Sequence, residues 1–541
     1  MQIGQHMCER LPAMVPVKRA MRLALFLLAG SGAVAHAATP GAACEALGRL
    51  SLADTTITAA ETVGTGQYKL TDDRFTRMVA APGMNPAGQS QTPANPAFCR
   101  VALTLTPSSD SAIKTEVWLP LAGWNHKLLG VGNFGWGGAL MTPGMLSGLD
   151  AGYVVASNDT GHDSSTPEGE GGRFALGHPQ KLTDYAYRAN HLMTVRAKEI
   201  IQAFYGEAAS HAYWAGCSLG GLQGLIEASR YPADYDGIIV GAPPNPLVNF
   251  NAQQLWPAWL LHQTPAAQIP ADKFKMVNQA VLQACASPVG RAQGFVDAPE
   301  QCRFAPRLLL CRAGDQPDCL TEPQVRLMEQ IYQGPVNPRT GQVIFPGPAK
   351  GTEATWGGMA SSKPFPTALD LFRYAVLQNP DWDWTTLDWD KDIATATAKV
   401  GPLLHVAAPD LQPFFERGGK LMLYLGWNDG HNPEELASFT QRVQRVSAKA
   451  ADAVQLFLSP GMGHCLGGAG CDTFDKLGAM DAWVTRGQAP QKIVASKIND
   501  GKVVRTRPLC AYPQVAQYKG RGDMDDAANF ACVSGLGVTS K

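Results

Sequence analysis

Residues 212–221 read Ala212-Tyr213-Trp214-Ala215-Gly216-Cys217-Ser218-Leu219-Gly220-Gly221. The first four residues are apolar and aromatic, as in a short buried strand. From Gly220 to Ser229, Leu222, Leu225 and Ile226 recur at helical spacing. Between them, Gly216-Cys217-Ser218-Leu219-Gly220 fits G-x-S-x-G. The small residues let the chain turn sharply and let strand and helix approach. Strand, tight turn and helix together are what a nucleophile elbow requires, with Ser218 held at the tip. A five-residue match alone occurs by chance. The flanking elements give this one its weight.

The same alternation extends outward in both directions. Short apolar runs lie at Lys127–Val131, Gly152–Ala156 and Gly237–Val240, with a helical stretch from Tyr185 to Phe204. Strands separated by helices predict an α/β fold on a parallel sheet. Residues 245–407 differ. They are rich in Trp and Pro and carry helical stretches such as Glu322–Tyr332. Strand character returns at Lys420–Leu425 and Val454–Leu458. One α/β domain interrupted by an inserted domain is the simplest reading, and no internal repeat is visible.

A serine hydroxyl is a weak nucleophile until a base takes its proton and an acid orients that base. On this fold the order is serine, acid, histidine. Four histidines follow Ser218: His262, His405, His431 and His464. His464 follows a strand in Pro460-Gly461-Met462-Gly463-His464 and is the favoured base. His431 is the rival, with a plain surface-loop residue as its alternative reading. Asp429 ends the Leu421–Leu425 strand, where sites on parallel sheets are built, and is the expected acid. If Ser218 meets His464, their neighbours Cys217 and Cys465 come close enough for a disulfide. The oxyanion needs donors. One is the Leu219 backbone N–H, and the other should come from an earlier strand-end loop. Gly130-Val131-Gly132-Asn133-Phe134-Gly135-Trp136-Gly137-Gly138 follows a strand but lacks the helix and acidic residue of a nucleotide-binding loop.

The chain has 541 residues, of which 45% are hydrophobic and 17% charged, enough apolar material for a large core. With 45 Lys and Arg against 46 Asp and Glu, it has no electrostatic footprint for nucleic acid. Lys18, Arg19 and Arg22 precede a 13-residue apolar run, Leu23–Ala35, and then Ala35-His36-Ala37. This is the pattern of a cleaved secretion signal over residues 1–37, too short for a membrane span. A secreted or periplasmic protein, free of the membrane after cleavage, is expected. Of 12 cysteines, Cys8 falls in the leader, which leaves an odd 11 in an oxidising compartment. Cys285, Cys302, Cys311 and Cys319 cluster without a Cys-x2-Cys or His pair, so zinc is poorly supported.

These residues resemble the tannase and feruloyl esterase family, which includes mono(2-hydroxyethyl) terephthalate hydrolases. The resemblance runs from about residue 44 to 534. It rests on Gly216–Gly221, Tyr235-Asp236-Gly237-Ile238-Ile239-Val240-Gly241-Ala242-Pro243, and Asp381-Trp382-Asp383-Trp384. It rests also on Pro460–Cys465 and Arg505-Thr506-Arg507-Pro508-Leu509-Cys510. It implies an α/β-hydrolase core (38–244 and 408–541) with a large inserted lid domain (245–407). It implies Ser218, Asp429 and His464 as the triad, and Gly135 as second oxyanion donor beside Leu219. It also implies the bridges Cys217–Cys465, Cys44–Cys99, Cys285–Cys302, Cys311–Cys319 and Cys510–Cys532, with Cys471 left unpaired.

The family usually holds a structural calcium between the cysteines equivalent to Cys285 and Cys302. Its three carboxylate positions here are Ala286, Val289 and Gln293, and its two carbonyl positions are Arg291 and Phe295. Calcium needs charged oxygen ligands. Asp297 alone would not supply them, so no metal and no cofactor is expected. The resemblance implies a small aromatic ester as substrate. Trp256, Trp259, Trp356, Phe365, Phe372 and Tyr374 are available in the insertion, most of them as its core. Arg373 lies near, but not at, the place of an arginine that would receive a terephthalate carboxylate. The expectation is therefore a secreted serine esterase acting on feruloyl- or galloyl-type esters. The alternatives are a terephthalate-monoester hydrolase and, from another class, a non-catalytic binding protein on the same fold.

Overall fold

The computed structural model describes residues 40–72 and 74–535, so the leader expected at 1–37 lies outside the described residues. Nine strands form one sheet: β1 (Thr55–Val63), β2 (Phe98–Leu105), β3 (Ile113–Pro120), β4 (Lys127–Val131), β5 (Val154–Asn158), β6 (His211–Cys217), β7 (Gly237–Gly241), β8 (Lys420–Gly426) and β9 (Val454–Ser459). Their spatial order is β1-β2-β3-β5-β4-β6-β7-β8-β9. From β5 to β9 every pairing is parallel; β1, β2 and β3 join antiparallel, and β3 pairs antiparallel with β5. The sheet is therefore mixed, with the parallel part where the alternation of strands and helices placed it.

The parallel strands are buried along nearly their whole length, and β7 is buried at every residue. Crossover helices cover both faces of such a sheet, which is why Gly-Ile-Ile-Val-Gly carries no polar alternation. Helix Ala189–Tyr205 packs on β5, and helix Leu219–Arg230 packs on β6 and β7. The first of these is entered through a wider helical turn, Asp184–Arg188, and ends on Gly206 at φ 77°.

Between β7 and β8 the chain adds no strand to this sheet. It builds helices instead, among them Leu247–Gln263, Ala271–Cys285, Glu322–Gln333 and Lys391–Leu404. Thr321 caps the third of these reciprocally with Gln324. Much of the insertion's aromatic content packs on itself. Trp256 stacks on Trp259 at 5.3 Å and meets Trp389 edge-on, while Trp356 is buried against Phe274 and Tyr332. After β9 come helix Lys476–Arg486 and two hairpins, β10 (Lys492–Asn499) with β11 (Lys502–Cys510), and β12 (Gln514–Tyr518) with β13 (Phe530–Ser534).

Among the described residues, five cysteine pairs are bonded: Cys44–Cys99, Cys217–Cys465, Cys285–Cys302, Cys311–Cys319 and Cys510–Cys532. These are the pairs that the resemblance implies. Cys471 is free and buried. Among the described residues, no helix is long and apolar enough to cross a membrane.

Candidate active site

Ser218 sits between β6 and helix Leu219–Arg230 with φ 60° and ψ −122°. A side chain other than glycine's is strained at that φ, and the surroundings must hold it there. Ser218 N–H donates to Gly241 O of β7 at 2.9 Å, and Gly221 and Leu222 N–H donate back to Ser218 O. The turn closes only because its neighbours lack side chains. A Cβ on Gly216 would lie 2.4 Å from the Gly220 backbone, and one on Gly221 would lie 2.2 Å from Gly241 O.

The loop after β4 lies beside this turn. Gly220 N–H donates to Asn133 O at 2.8 Å. Gln223, one turn into the helix, accepts from Asn133 N–H at 2.9 Å and donates to Asn133 Oδ1 at 3.0 Å. Asn133 in turn donates to Asn158 O of β5 at 2.7 Å. The helix carrying Ser218 thus fixes the loop that carries Gly135, whose φ is 59°. Gly135 and Leu219 line the same cavity as Ser218. Sequence reasoning missed Asn133 and Gln223. The only trace of them is two amides in otherwise apolar, glycine-rich segments.

Asp429 lies in the turn after β8 and is 1% exposed. It receives His464 Nδ1–H on Oδ2 at 2.8 Å. Its Oδ1 receives both the N–H and the Nδ1–H of His431, each at 2.9 Å. A buried carboxylate accepts and does not donate, which fixes the proton of each neutral ring on Nδ1. Burial by itself would raise the Asp429 carboxyl, but the imidazoles of His464 and His431 outweigh it and hold it well below the ordinary carboxylate range. His464 Nε2 is buried and has no hydrogen-bond partner among the described residues. Its loop is pinned by Asn428 N–H on Met462 O at 2.9 Å and Gly463 N–H on Gly467 O at 3.1 Å. Cys465, bonded to Cys217, anchors it to the turn that carries Ser218.

His431 is no surface residue. Its side chain is 13% exposed and stacks on His464 with ring centroids 3.9 Å apart and planes within 10°. His262 lies elsewhere, against Trp384. His405 lines a separate cleft of about 440 Å³ that contains none of Ser218, Asp429 and His464.

Ser218, His464 and His431 open into a cavity of about 160 Å³. Its wall is aromatic and apolar: Phe134, Trp136, Tyr185, Leu247, Phe250 and Phe365. Asn251 and Gln254 add the amide groups, and among the described residues neither Arg nor Lys lines it. Of the insertion's six aromatic candidates, only Phe365 lines this cavity. Phe372 stacks on Trp382, and Tyr374 lines another cleft beneath Arg173. Arg373 donates to Trp382 O and is not among the lining residues.

The loop closed by Cys285–Cys302 offers a cation little. Ala286 and Val289 are buried apolar side chains. Gln293 donates to Met524 O at 3.1 Å and Asp525 Oδ1 at 2.8 Å, and it accepts from Arg507. Asp297 accepts from Ser287 N–H at 3.1 Å. The donor set for calcium is wrong in charge, and its one amide is already engaged. Elsewhere among the described residues, His191, Glu227 and Asp234 lie close enough together to share an ion, with His191 already paired to Asp234 at 2.7 Å.

The family profile described as "Tannase and feruloyl esterase" matches residues 99–533. An uncharacterized esterase of Xanthomonas campestris pv. campestris is 35% identical, covering 95% of this chain and 95% of that protein. The mono(2-hydroxyethyl) terephthalate hydrolase of Piscinibacter sakaiensis is 31% identical, covering 78% of this chain and 81% of its own. The crystal structure of feruloyl esterase B from Aspergillus oryzae superposes with a TM-score of 0.81 at 27% identity, covering 91% of this chain and 100% of that one. The chain is an α/β-hydrolase and belongs to the tannase and feruloyl esterase family of carboxylic ester hydrolases.

Proposed function

We propose that this chain hydrolyses esters of neutral or phenolic aromatic acids, of feruloyl or galloyl type, through an acyl-enzyme on Ser218. The observation that carries this reading is the unpartnered Nε2 of His464, whose ring is oriented by Asp429 and lines the same aromatic cavity as Ser218. In this reading His464 Nε2 takes the Ser218 proton as Oγ attacks the ester carbonyl. The Leu219 and Gly135 N–H groups hold the resulting oxyanion. The tetrahedral species collapses, His464 passes its proton to the leaving alkoxide, and the alcohol departs. Water then enters and gives a proton to His464 while its oxygen attacks the acyl-enzyme. A second collapse frees the acid and returns the proton to Ser218. The buried Asp429 stays ionised throughout and stabilises the imidazolium of each step.

The aromatic wall without Arg or Lys favours an uncharged ring over a terephthalate half-ester, whose free carboxylate would find no counter-charge there. The helical insertion, residues 245–407, serves as the lid, since Leu247, Phe250 and Phe365 supply that wall. The leader and the disulfides support export to the periplasm or beyond. The buried apolar side chains at Ala286 and Val289 support a lid loop that works without calcium.

The test is hydrolysis by the mature protein of methyl ferulate, methyl gallate, mono(2-hydroxyethyl) terephthalate and a short aliphatic ester, each beside Ser218→Ala. Turnover of the phenolic esters, lost in the variant, is the expected result. Turnover of the terephthalate ester alone would overturn the substrate reading. No turnover and no labelling by a fluorophosphonate would favour the binding-protein reading.

A further inference from the structure

We infer that His431 is a positioning residue whose ring, by adding a second hydrogen bond to Oδ1 of Asp429, weakens the support that Asp429 gives to a protonated His464. The inference rests on the triad reading above and adds a second imidazole to it.

The geometry is specific. Asp429 Oδ2 faces His464 Nδ1 at 2.8 Å, and Oδ1 faces His431 Nδ1 at 2.9 Å. Two imidazoles therefore share one carboxylate, and they lie face to face at 3.9 Å. Phe250 lies 4.2 Å from His431, and Phe134 lies 5.5 Å from His464, so each imidazole also has an aromatic neighbour.

The two imidazoles are not equivalent. Burial, with the His464 ring against it, draws His431 down to about 4 despite the pull of Asp429. His431 is thus held neutral, and its ring N–H joins its backbone N–H as a second donor to Asp429 Oδ1. Each hydrogen bond to a carboxylate draws off electron density that would otherwise stabilise a cation on its other side. With the ring N–H on Oδ1 beside the backbone N–H, Asp429 supports the His464 imidazolium less strongly than it would with the backbone N–H alone. Loss of the ring donor should therefore move the acid limb of the rate upward. Among the described residues lining the cavity, the only other titratable side chain is Tyr185, whose phenol burial holds above its ordinary range. No Arg, Lys or Glu faces the pair from the cavity wall.

The test is the pH profile of kcat/KM for two variants. His431→Phe keeps a stacked ring and removes the donor. His431→Asn keeps an amide N–H near the place of Nδ1–H and removes the ring. For His431→Phe, the acid limb should move upward by about 0.5–1 pH unit, a loss of about three- to tenfold at a fixed pH below the limb. For His431→Asn it should stay within about 0.3 unit of the parent. An unshifted limb in His431→Phe, with Ser218 still labelled by a fluorophosphonate, would overturn the inference. An equal upward shift in both variants would overturn it too, because the ring and not the donor would then matter. His431→Leu serves the first arm if the phenylalanine variant does not fold. His464→Ala separates this failure from that of the triad reading. If that variant keeps its activity while His431→Ala loses it, the base has been misassigned and both readings fall.

Discussion

Removing the bridge between Cys217 and Cys465 should cost both stability and rate. This bond closes a loop of 248 residues, whereas the other four close loops of 8 to 55. The others therefore constrain only local segments, and this one spans the whole helical insertion. The loop-closure entropy of a 248-residue loop is worth about 5.5 kcal/mol at 25 °C. Unfolding about 500 ordered residues gains roughly 1 kcal/mol per kelvin, so this loss corresponds to a fall in Tm of about 5 °C. The kinetic effect follows from where the bond lies. It ties the residue before Ser218 to the residue after His464, and a shift of about 1 Å between reacting groups can cost about 100-fold. The histidine loop keeps its own hydrogen bonds to Asn428 and within residues 461–470, so partial activity should survive. For the double variant Cys217→Ser, Cys465→Ser, calorimetry should show the fall in Tm. Steady-state kinetics should show kcat/KM reduced by about 10- to 100-fold. A Tm lowered by less than about 1 °C together with an unchanged kcat/KM would refute the reasoning.

Gln223→Leu should strand the buried N–H of Asn133 at a cost of about 1–3 kcal/mol and loosen the loop that presents Gly135. The readout is kcat, expected to fall at least tenfold, with a lower Tm. Gly221→Ala should prevent the elbow from closing, because its new methyl would meet Gly241 O; little soluble protein is expected, read by yield and circular dichroism. The Cys471 thiol is buried and pushed up to about 11 by burial, so it should resist iodoacetamide at pH 8 in the folded protein. Mass spectrometry should find it alkylated only after denaturation. Prolonged dialysis against EDTA should leave Tm and activity unchanged if the loop between Cys285 and Cys302 holds no calcium.

The centre of the sheet was legible because its cues are local. Gly216, Ser218 and Gly220 lie within five residues, and the strand before them and the helix after them carry plain periodicities. Asp429 and His464 could be placed by the rule that sites form at the carboxyl ends of parallel strands. The antiparallel edge escaped notice. β1 reads Thr-Thr-Ile-Thr-Ala-Ala-Glu-Thr-Val and buries none of its residues fully, so it lacks the apolar run that marks β7. The C-terminal hairpins are similar, with exposed Val494, Val503 and Val504. The aromatic wall was hard to foresee for a different reason. An insertion rich in Trp packs most of its rings against each other, so composition cannot say which ring turns inward, and Phe365 alone of the six candidates does. Phe250, Tyr185 and Trp136 come from three separate segments. His431 needed the third dimension most. Its stacking on His464 joins two loops that only the β8–β9 pairing brings together.

The most direct measurement is intact-protein mass spectrometry during turnover of a slow phenolic ester, followed by peptide mapping of the trapped species. The expected result is a mass increase equal to one acyl group, located on the peptide containing Ser218, that disappears as product forms and is absent from Ser218→Ala. Product release with no covalent adduct under single-turnover conditions, or an adduct on another residue, would contradict it.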